Sequence, residues 1–438
     1  MRVLVLDGNE NHAVASTRSL ARAGYRVEVG AHTRWSKAGW SRACQRSFTY
    51  PAPQQDSLAF VQCIAAEAAR APGTLVLPMT ERTTLPLSLH RDVIFATGAK
   101  MVLPPHETVL RAFDKQETTR LAASLGIAIP QTATINNRDD AHALAASLPY
   151  PVVLKARSSE EVSPSGKVTA TGAPRYARNA DEFLSAYTEM ARRCSTVLAQ
   201  EFIEGEGAGY FALMREGELR MEFAHRRIRD VRPTGSGSAV RVSVRPDARI
   251  REAGLAILRA LKWHGVAMVE FRQRADGTPV FLEVNGRFWN SLPLAVYAGA
   301  DFPALLARMA EHGDVEPQVD YLEGLRCRWL LGDFRHLIEV MRGAPAGYPG
   351  TYPSRLATLV NFTLPVRGTF HDNYTLRDPL PELGDWLDFL FRRLLAAGRK
   401  KDGLQSATRS DAATTSPSAI RNRTARSESC AEEVLNLK

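Results

Sequence analysis

Apolar positions near the start of the chain follow two rhythms. Residues 1–6 are a short apolar run, a loop with Gly8 follows, and a helical pattern then runs through Leu20 to Ala23 and ends at Gly24. Arg26 to Val29 reads as the next strand. This β-α-β opening is expected of a parallel sheet with right-handed crossovers. A further strand, Thr74 to Leu77, runs into Pro78-Met79-Thr80-Glu81. Loops beyond the C-terminal ends of such strands are where ligands bind. Only Gly8 stands in the first β-α loop, so the glycine fingerprint of a dinucleotide site is missing.

A second unit begins near residue 105. Periodicity predicts a helix over Thr108 to Gly126. Pro149-Tyr150-Pro151 precedes a strand, Val152 to Leu154, that ends at Lys155. Residues 157–175 are rich in Ser, Gly, Pro and Thr and predict a loop long enough to act as a mobile lid. Ala180 to Arg193 is helical, and Thr196 to Ile203 is a strand that runs into Glu204-Gly205-Glu206-Gly207. Two alternating segments within Tyr210 to Arg226 flank Arg215-Glu216-Gly217-Glu218, a hairpin signal. Pro246 to Trp263 predicts a helix. Gly265 to Arg272 and Pro279 to Val284 predict strands joined at Ala275-Asp276-Gly277. Residues 290–312 are largely helical. Pro and Gly interrupt residues 317–397, which read poorly until Pro381 to Ala397. That last stretch is an amphipathic helix suited to the body of the protein, a partner or a membrane surface. From Gly398 onward Ser, Thr, Ala and Arg lack any period, which predicts a disordered tail.

Composition narrows the function classes. A chain of 438 residues suggests two or three domains, and 45% hydrophobic with 24% charged content is ordinary for a soluble globular protein. No stretch approaches the ~20 apolar residues of a membrane helix. The N-terminal run is too soon interrupted by charge for a signal peptide, so the cytoplasm is the default location. Cys44, Cys63, Cys194, Cys327 and Cys430 form no CxxC pair, which argues against a zinc site or a disulfide framework. The net charge of +9 is not gathered into one dense patch with interleaved aromatics, so a nucleic-acid partner is not expected. A basic surface also attracts anionic substrates.

The candidate chemistry starts at Phe281-Leu282-Glu283-Val284-Asn285-Gly286-Arg287. Glu283 and Asn285 are two apart, hence on one face of a strand. Glu270 lies in Val266-Ala267-Met268-Val269-Glu270-Phe271, a run that otherwise suits burial. Two such carboxylates on paired strands call for a shared cation, and magnesium takes oxygen ligands together with phosphate oxygens. Arg287 can hold a transferring phosphoryl group by bidentate contact. Alone, the hairpin would also pass for a half-exposed polar face. Lys115 after Asp114, Lys155 at a buried strand end and the lid-like loop together favour a nucleoside-triphosphate cradle. No Walker A sequence is present. Gln200-Glu201-Phe202-Ile203-Glu204-Gly205-Glu206 ends another strand, where backbone groups of Glu201 and Ile203 can read an adenine edge and a carboxylate can take the ribose hydroxyls.

This ordered set resembles the ATP-grasp superfamily, especially its carboxylate–amine ligases of the carbamoyl-phosphate synthase and D-alanine–D-alanine ligase kind. The resemblance rests on Phe113-Asp114-Lys115 with Gly126-Ile127-Ala128-Ile129-Pro130, Tyr150-Pro151-Val152-Val153-Leu154-Lys155, Gln200 to Gly209 and Phe281 to Pro303, and spans roughly residues 1–312. It implies an α/β and α+β chain: a Rossmann-like pre-ATP-grasp domain at 1–105, then a two-subdomain ATP-grasp fold at 106–312 with a lid subdomain at about 150–205. Residues 313–397 are then a C-terminal extension and 398–438 the tail. By motif position, Lys115 and Lys155 look like phosphate-contacting lysines. Gln200, Glu201 and Ile203 look like adenine-edge residues, and Glu206, or Glu204, like the ribose acid. Glu270, Glu283 and Asn285 look like magnesium ligands, with Arg287 and Lys155 in the catalytic roles. His225-Arg226-Arg227 resembles a basic strand end near the phosphates, with His225 as a nucleotide contact. Gly286 stands where relatives often carry Pro, and the lid is less Gly-rich than in many.

The implied activity is ATP-dependent ligation of a carboxylate to an amine, or to a thiol, through an acyl phosphate, releasing ADP and phosphate. ATP and a pair of Mg2+ ions, or Mn2+ in their place, are the expected cofactors. Small-molecule carboxylates and amines are the expected partners, and a homo-oligomer is allowed. The competing readings are a non-catalytic ATP-binding module acting as sensor or scaffold, which would not need the transfer set Glu270, Glu283, Asn285 and Arg287, and a Rossmann oxidoreductase, which would need the missing glycines.

Overall fold

The computed structural model describes residues 1–158, 160–162, 168–345, 348–364, 366–391 and 393. The chain divides into two compact units, Met1–Trp386 and Leu387–Lys438. The boundaries expected near 105 and 312 both fall inside the first. In the second unit only 387–391 and 393 are described, and they are helical. The rest of the expected closing helix and the whole tail lie outside the described residues.

The opening β-α-β reading corresponds to a four-stranded parallel sheet in the order β3-β2-β1-β4, formed by β1 (Arg2–Val5), β2 (Arg26–Ala31), β3 (Arg46–Thr49) and β4 (Leu75–Leu77). Helices α1 (Asn11–Arg22), α2 (Ser57–Ala68), α3 (Glu81–Leu89) and α4 (Arg91–Phe95) accompany it. Inside this layer Glu28, 1% exposed, accepts from Arg2 Nε and Nη2, each at 2.9 Å, and from Arg46 Nε at 2.7 Å.

The single helix expected over 108–126 is two: α5 (His106–Phe113) and α6 (Lys115–Ser124). Asp114 between them is extended, at φ −87° and ψ 107°, and its side chain accepts from the N–H groups of Gln116 and Glu117. An N-cap satisfies donors that a continuous helix would otherwise bond, and so restarts the helix.

A second four-stranded sheet, ordered β5-β10-β6-β9, contains β5 (Thr132–Ile135), β6 (Val152–Ala156), β9 (Arg175–Ala177) and β10 (Val197–Glu201). Helices α7 (Arg138–Ala145) and α8 (Ala180–Met190) bury its core with Leu154, Phe183, Tyr187 and Val197. The loop expected over 157–175 contains an antiparallel hairpin, β7 (Glu160–Val162) with β8 (Val168–Ala170). Strands of three residues are too short for alternation to show among so many Ser, Gly and Pro.

The third sheet has seven strands in the order β15-β14-β11-β12-β13-β16-β17. They are β11 (Glu206–Arg215), β12 (Glu218–Arg232), β13 (Ser236–Val244), β14 (Gly265–Gln273), β15 (Pro279–Asn285), β16 (Arg326–Arg328) and β17 (Thr369–His371). Alternation splits β11 between two cores. Phe211 and Leu213 face Phe223, Trp289 and Phe302, together with α10 (Leu292–Ala298) and α11 (Phe302–His312). Tyr210, Ala212 and Met214 face α9 (Ala248–Ala260), Trp263 and Phe281.

The described residues of 317–386 are more ordered than their sequence suggests. They supply β16 and β17 to the large sheet, with α12 (Leu330–Arg342) and α13 (Arg355–Thr363) beside it. A buried polar network ties them to the first layer. Arg241, 0% exposed, meets Asp372 at 2.6 Å. Asp372 also accepts from Asn11, while Lys37 meets Asp385 at 2.8 Å and Arg18 meets Asp378 at 2.9 Å. No helix among the described residues is long and apolar enough to cross a membrane.

Burial pushes the Glu28 carboxyl up, but Arg2 and Arg46 overcome it and hold its pKa at about 2, below the ordinary 4.5. A depressed carboxylate pKa stabilises the fold fully above the unfolded value, and that contribution fades as pH falls toward the folded value. Glu28→Gln is therefore expected to cost roughly 2 kcal/mol at pH 7. Denaturant melts of both proteins should converge between pH 4.5 and 2. A gap that stays constant down that range would refute the assignment.

Candidate active site

Strands β14 and β15 pair so that Glu270 stands opposite Glu283. The register then slips, with Phe271 opposite Phe281, and a bulge of this kind re-aims side chains at a strand end. The apolar neighbours Val269, Phe271, Phe281 and Val284 are buried, leaving the two carboxylates as the polar feature of the hairpin. Each carboxylate meets a cation: Glu283 lies 3.4 Å from Lys115 Nζ, and Glu270 accepts from Arg227 at 2.5 Å. Asn285 Nδ2 donates to Glu283 Oε1 at 3.2 Å. Arg287 donates to Asn285 Oδ1 at 2.8 Å and lies 3.7 Å from Glu81 at the start of α3. Glycine at 286 has a steric reason, because a Cβ there would sit 2.3 Å from the Trp263 ring.

The two carboxylates titrate apart, as like charges sharing a site must. Burial raises the Glu270 pKa, the charge of Glu283 adds to the rise, and Arg227 opposes it. Burial works upward on Glu283 too, but Lys115 and Lys155 outweigh it and hold Glu283 ionised. Burial lowers the Lys155 pKa and Lys115 pushes the same way, against the attraction of both glutamates.

A cavity of about 420 Å³ opens between the second and third sheets. Lys115, Lys155, Gln200, Glu201, Ile203, Glu270 and Glu283 all line it. Gln200 is buried and donates to Thr132 Oγ1 at 3.2 Å. Glu201 is 3.3 Å from Arg274, and its N–H is donated to the Gln131 carbonyl. Asn285 and Arg287 adjoin the cavity through their bonds to Glu283 and to each other.

Two of the expected residues stand apart. Glu206 is exposed at the start of β11, as is Glu204 before it, and neither lines the cavity. His225 is buried on β12, 2.8 Å from Ser291 Oγ and stacked on Phe211 with ring centroids 4.9 Å apart. Burial, aided by Arg227 and Arg241, drives its pKa well below that of an ordinary histidine. Arg227, two residues on, lines the cavity instead.

Residues outside the expected set also stand at or near the cavity. Tyr176 and Phe202 sit 6.0 Å apart edge to face. Tyr348, between α12 and α13, packs edge-on to both, at 5.5 and 6.3 Å. Arg82 on α3 reaches Glu160 of the β7–β8 hairpin at 3.4 Å.

Family models match two stretches of the chain. One, "ATP-grasp domain", covers residues 107–207. The other, "ATP-grasp in the biosynthetic pathway with Ter operon", covers residues 193–332. Over 192 residues the chain is 28% identical to D-alanine–D-alanine ligase of Cupriavidus necator, a match covering 40% of this chain and 54% of that protein. The chain thus spans about half the length of that curated relative. Among solved structures it resembles the biotin carboxylase domain of Hydrogenobacter thermophilus 2-oxoglutarate carboxylase in complex with MgADP, ADP and bicarbonate. That match has 15% identity and a TM-score of 0.57, and covers 74% of this chain and 73% of that one. It also resembles L-amino acid ligase from Bacillus licheniformis, with 16% identity, a TM-score of 0.53 and 74% of each chain covered. At such identities the likeness is one of fold.

Removing Arg227 leaves Glu270 facing Glu283 with its own counter-ion gone. Arg227→Ala is expected to destabilise the protein by roughly 1–3 kcal/mol, and by less in a Glu270→Gln background. A double-mutant cycle read by urea melts measures the coupling. Strictly additive losses would show that the pair does not interact.

Proposed function

Because the chain belongs to the ATP-grasp superfamily, we propose that it is an ATP-dependent ligase that joins a carboxylate to an amine. The observation that carries this reading is the shared cavity. Two lysines from different layers, Lys115 on α6 and Lys155 on β6, converge there on two glutamates opposed across one hairpin. Phosphate-rich nucleotide is the ligand that such a mixture of fixed positive and negative charge suits best.

In this proposal Lys115 and Lys155 contact the phosphates, and Gln200, Glu201 and Ile203 read the adenine edge. Tyr176 and Phe202 supply apolar rings at that end. Arg227, which lines the cavity, takes the phosphate-side role rather than His225. Glu201, which lines the cavity, takes the ribose hydroxyls in place of Glu204 and Glu206.

The donor set fits magnesium. It is all oxygen: two carboxylates and the Asn285 amide oxygen. Among the described residues no group of three His, Cys, Asp or Glu side chains gathers at one point. An ion held by Glu270, Glu283 and Asn285 would therefore share its shell with phosphate, as magnesium does. When bound, it would neutralise charge that builds on the phosphates during transfer.

The chain's own part is positioning and charge neutralisation. The substrate carboxylate oxygen attacks the γ-phosphorus, the bond to the β-γ bridging oxygen breaks, and ADP leaves. Arg287, fixed by Asn285, holds the resulting acyl phosphate from the side of Glu81. An amine then attacks the acyl carbon, phosphate departs with the bonding pair, and the amine loses a proton. The names of the relatives, D-alanine–D-alanine ligase and L-amino acid ligase, put amino acids first among the carboxylates and amines to test.

Two measurements test this reading. In thermal shift, Mg-ATP is expected to stabilise the protein and NAD to leave it unmoved; stabilisation by NAD alone would sink the ligase reading. In a phosphate-release screen of carboxylates crossed with amines, activity should need the correct pair. On that pair Glu283→Ala should abolish ADP and phosphate release while circular dichroism stays native. Unchanged turnover would refute the role given to Glu283.

A further inference from the structure

A second concentration of charge lies on β12 and β16, among residues that line no part of the nucleotide cavity. Arg326 and Arg328 are two apart on β16 and so share a face of the sheet. Arg229 on β12 and Arg328 share one carboxylate, Asp333 of α12, which is 1% exposed. Arg229 binds it through Nε at 2.7 Å and Nη2 at 2.8 Å, and Arg328 Nε lies 2.7 Å from it. Arg328 is also stacked over the Phe362 ring at 4.7 Å, which fixes its plane.

Arg326 has no hydrogen-bond or ion-pair partner among the described residues, although it is half-buried. Thus Arg229, Arg326 and Arg328 line one cavity while a single carboxylate is shared by two of them, and among the described residues two positive charges go unmatched. Across the β16–β17 pairing, Thr369 lies beside Arg326 and His371 beside Arg328. The His371 Nδ1 is buried without a partner. These groups, with Asn361, line a cavity of about 90 Å³, room for several waters or one small oxyanion. Partly desolvated guanidinium groups that crowd one another are costly, and an anion between them removes the cost. Their planar forks match the oxygens of a phosphate or a carboxylate.

We propose that Arg229, Arg326 and Arg328 form a binding site for a small oxyanion, separate from the nucleotide cavity. It does not depend on the ligase reading. Thermal shift of the full chain in chloride buffer, without nucleotide or magnesium, tests it with inorganic phosphate in one arm and succinate in the other. At saturating concentration at least one of them is expected to raise the melting temperature of the wild type by a few degrees. Arg326→Gln should melt no lower than wild type without the oxyanion and should lose the shift. Arg326→Lys, which keeps the charge without the fork, should weaken binding about tenfold. Lys155→Ala should keep the shift, because the site lies outside the nucleotide cavity. A shift in the phosphate arm alone assigns a phosphate ligand, and one in the succinate arm alone a carboxylate. The proposal is overturned if neither anion moves the wild type, if the shift survives in Arg326→Gln, or if it vanishes in Lys155→Ala.

Discussion

Two carboxylates opposed across one hairpin set the terms for the residues around them. At an effective dielectric near 20, like charges about 4 Å apart repel by roughly 4 kcal/mol. The fold therefore has to bring cations to Glu270 and Glu283, and it draws them from separate layers. Lys115 comes from α6, Lys155 from the second sheet and Arg227 from β12. Holding that hairpin in register thus ties three elements together, and the cavity is the space they enclose.

A small local rule fixes two of those cations. Asp114 caps α6, which sets Lys115 as the first residue of that helix. One Asp114 oxygen accepts from the N–H groups of Gln116 and Glu117, and the other accepts from Arg157. Arg157 directly follows β6, two residues beyond Lys155, and its carbonyl accepts the Lys115 N–H at 3.0 Å. One carboxylate therefore holds the helix bearing one lysine against the strand end bearing the other. Mutating Asp114 would disturb the spacing of the lysines as well as the helix start.

How much of this was legible depended on the length of the element and on whether its pairing was local. The β14–β15 hairpin could be read because alternation, a turn and two misplaced carboxylates all fell within about twenty residues. Lys115 and Lys155 could be read as candidates but not as neighbours, since only tertiary packing joins them. No local signal in the basic run His225-Arg226-Arg227 tells which side chain faces the cavity: His225 is buried against Phe211 and Ser291, and Arg227 lines the cavity. Strands such as Arg326–Arg328 and Thr369–His371 are three residues long and partly charged. Their place is set by β13, more than eighty residues from β16, and no local pattern records it.

The C-terminal segment illustrates the same point energetically. Arg241 is 0% exposed and its carboxylate partner, Asp372, lies on the far side of 130 residues of chain. Removing one partner of such a pair strands a buried charge and costs several kcal/mol, far more than the pair itself contributes over an apolar substitute. Lys37 and Asp385 repeat the arrangement, with Trp329 Nε1 and Asn373 completing the bonds to Asp385. Asp372, Asp378 and Asp385 are therefore bound to α1, to the loop after β2 and to β13. Between α12 and α13 the same region carries Tyr348 to the rings of Tyr176 and Phe202 at the cavity wall. The polar network that holds the segment in place thereby also places an aromatic residue behind the proposed adenine site. A stretch that reads as an appendage in the sequence thus packs behind two side chains that line the cavity.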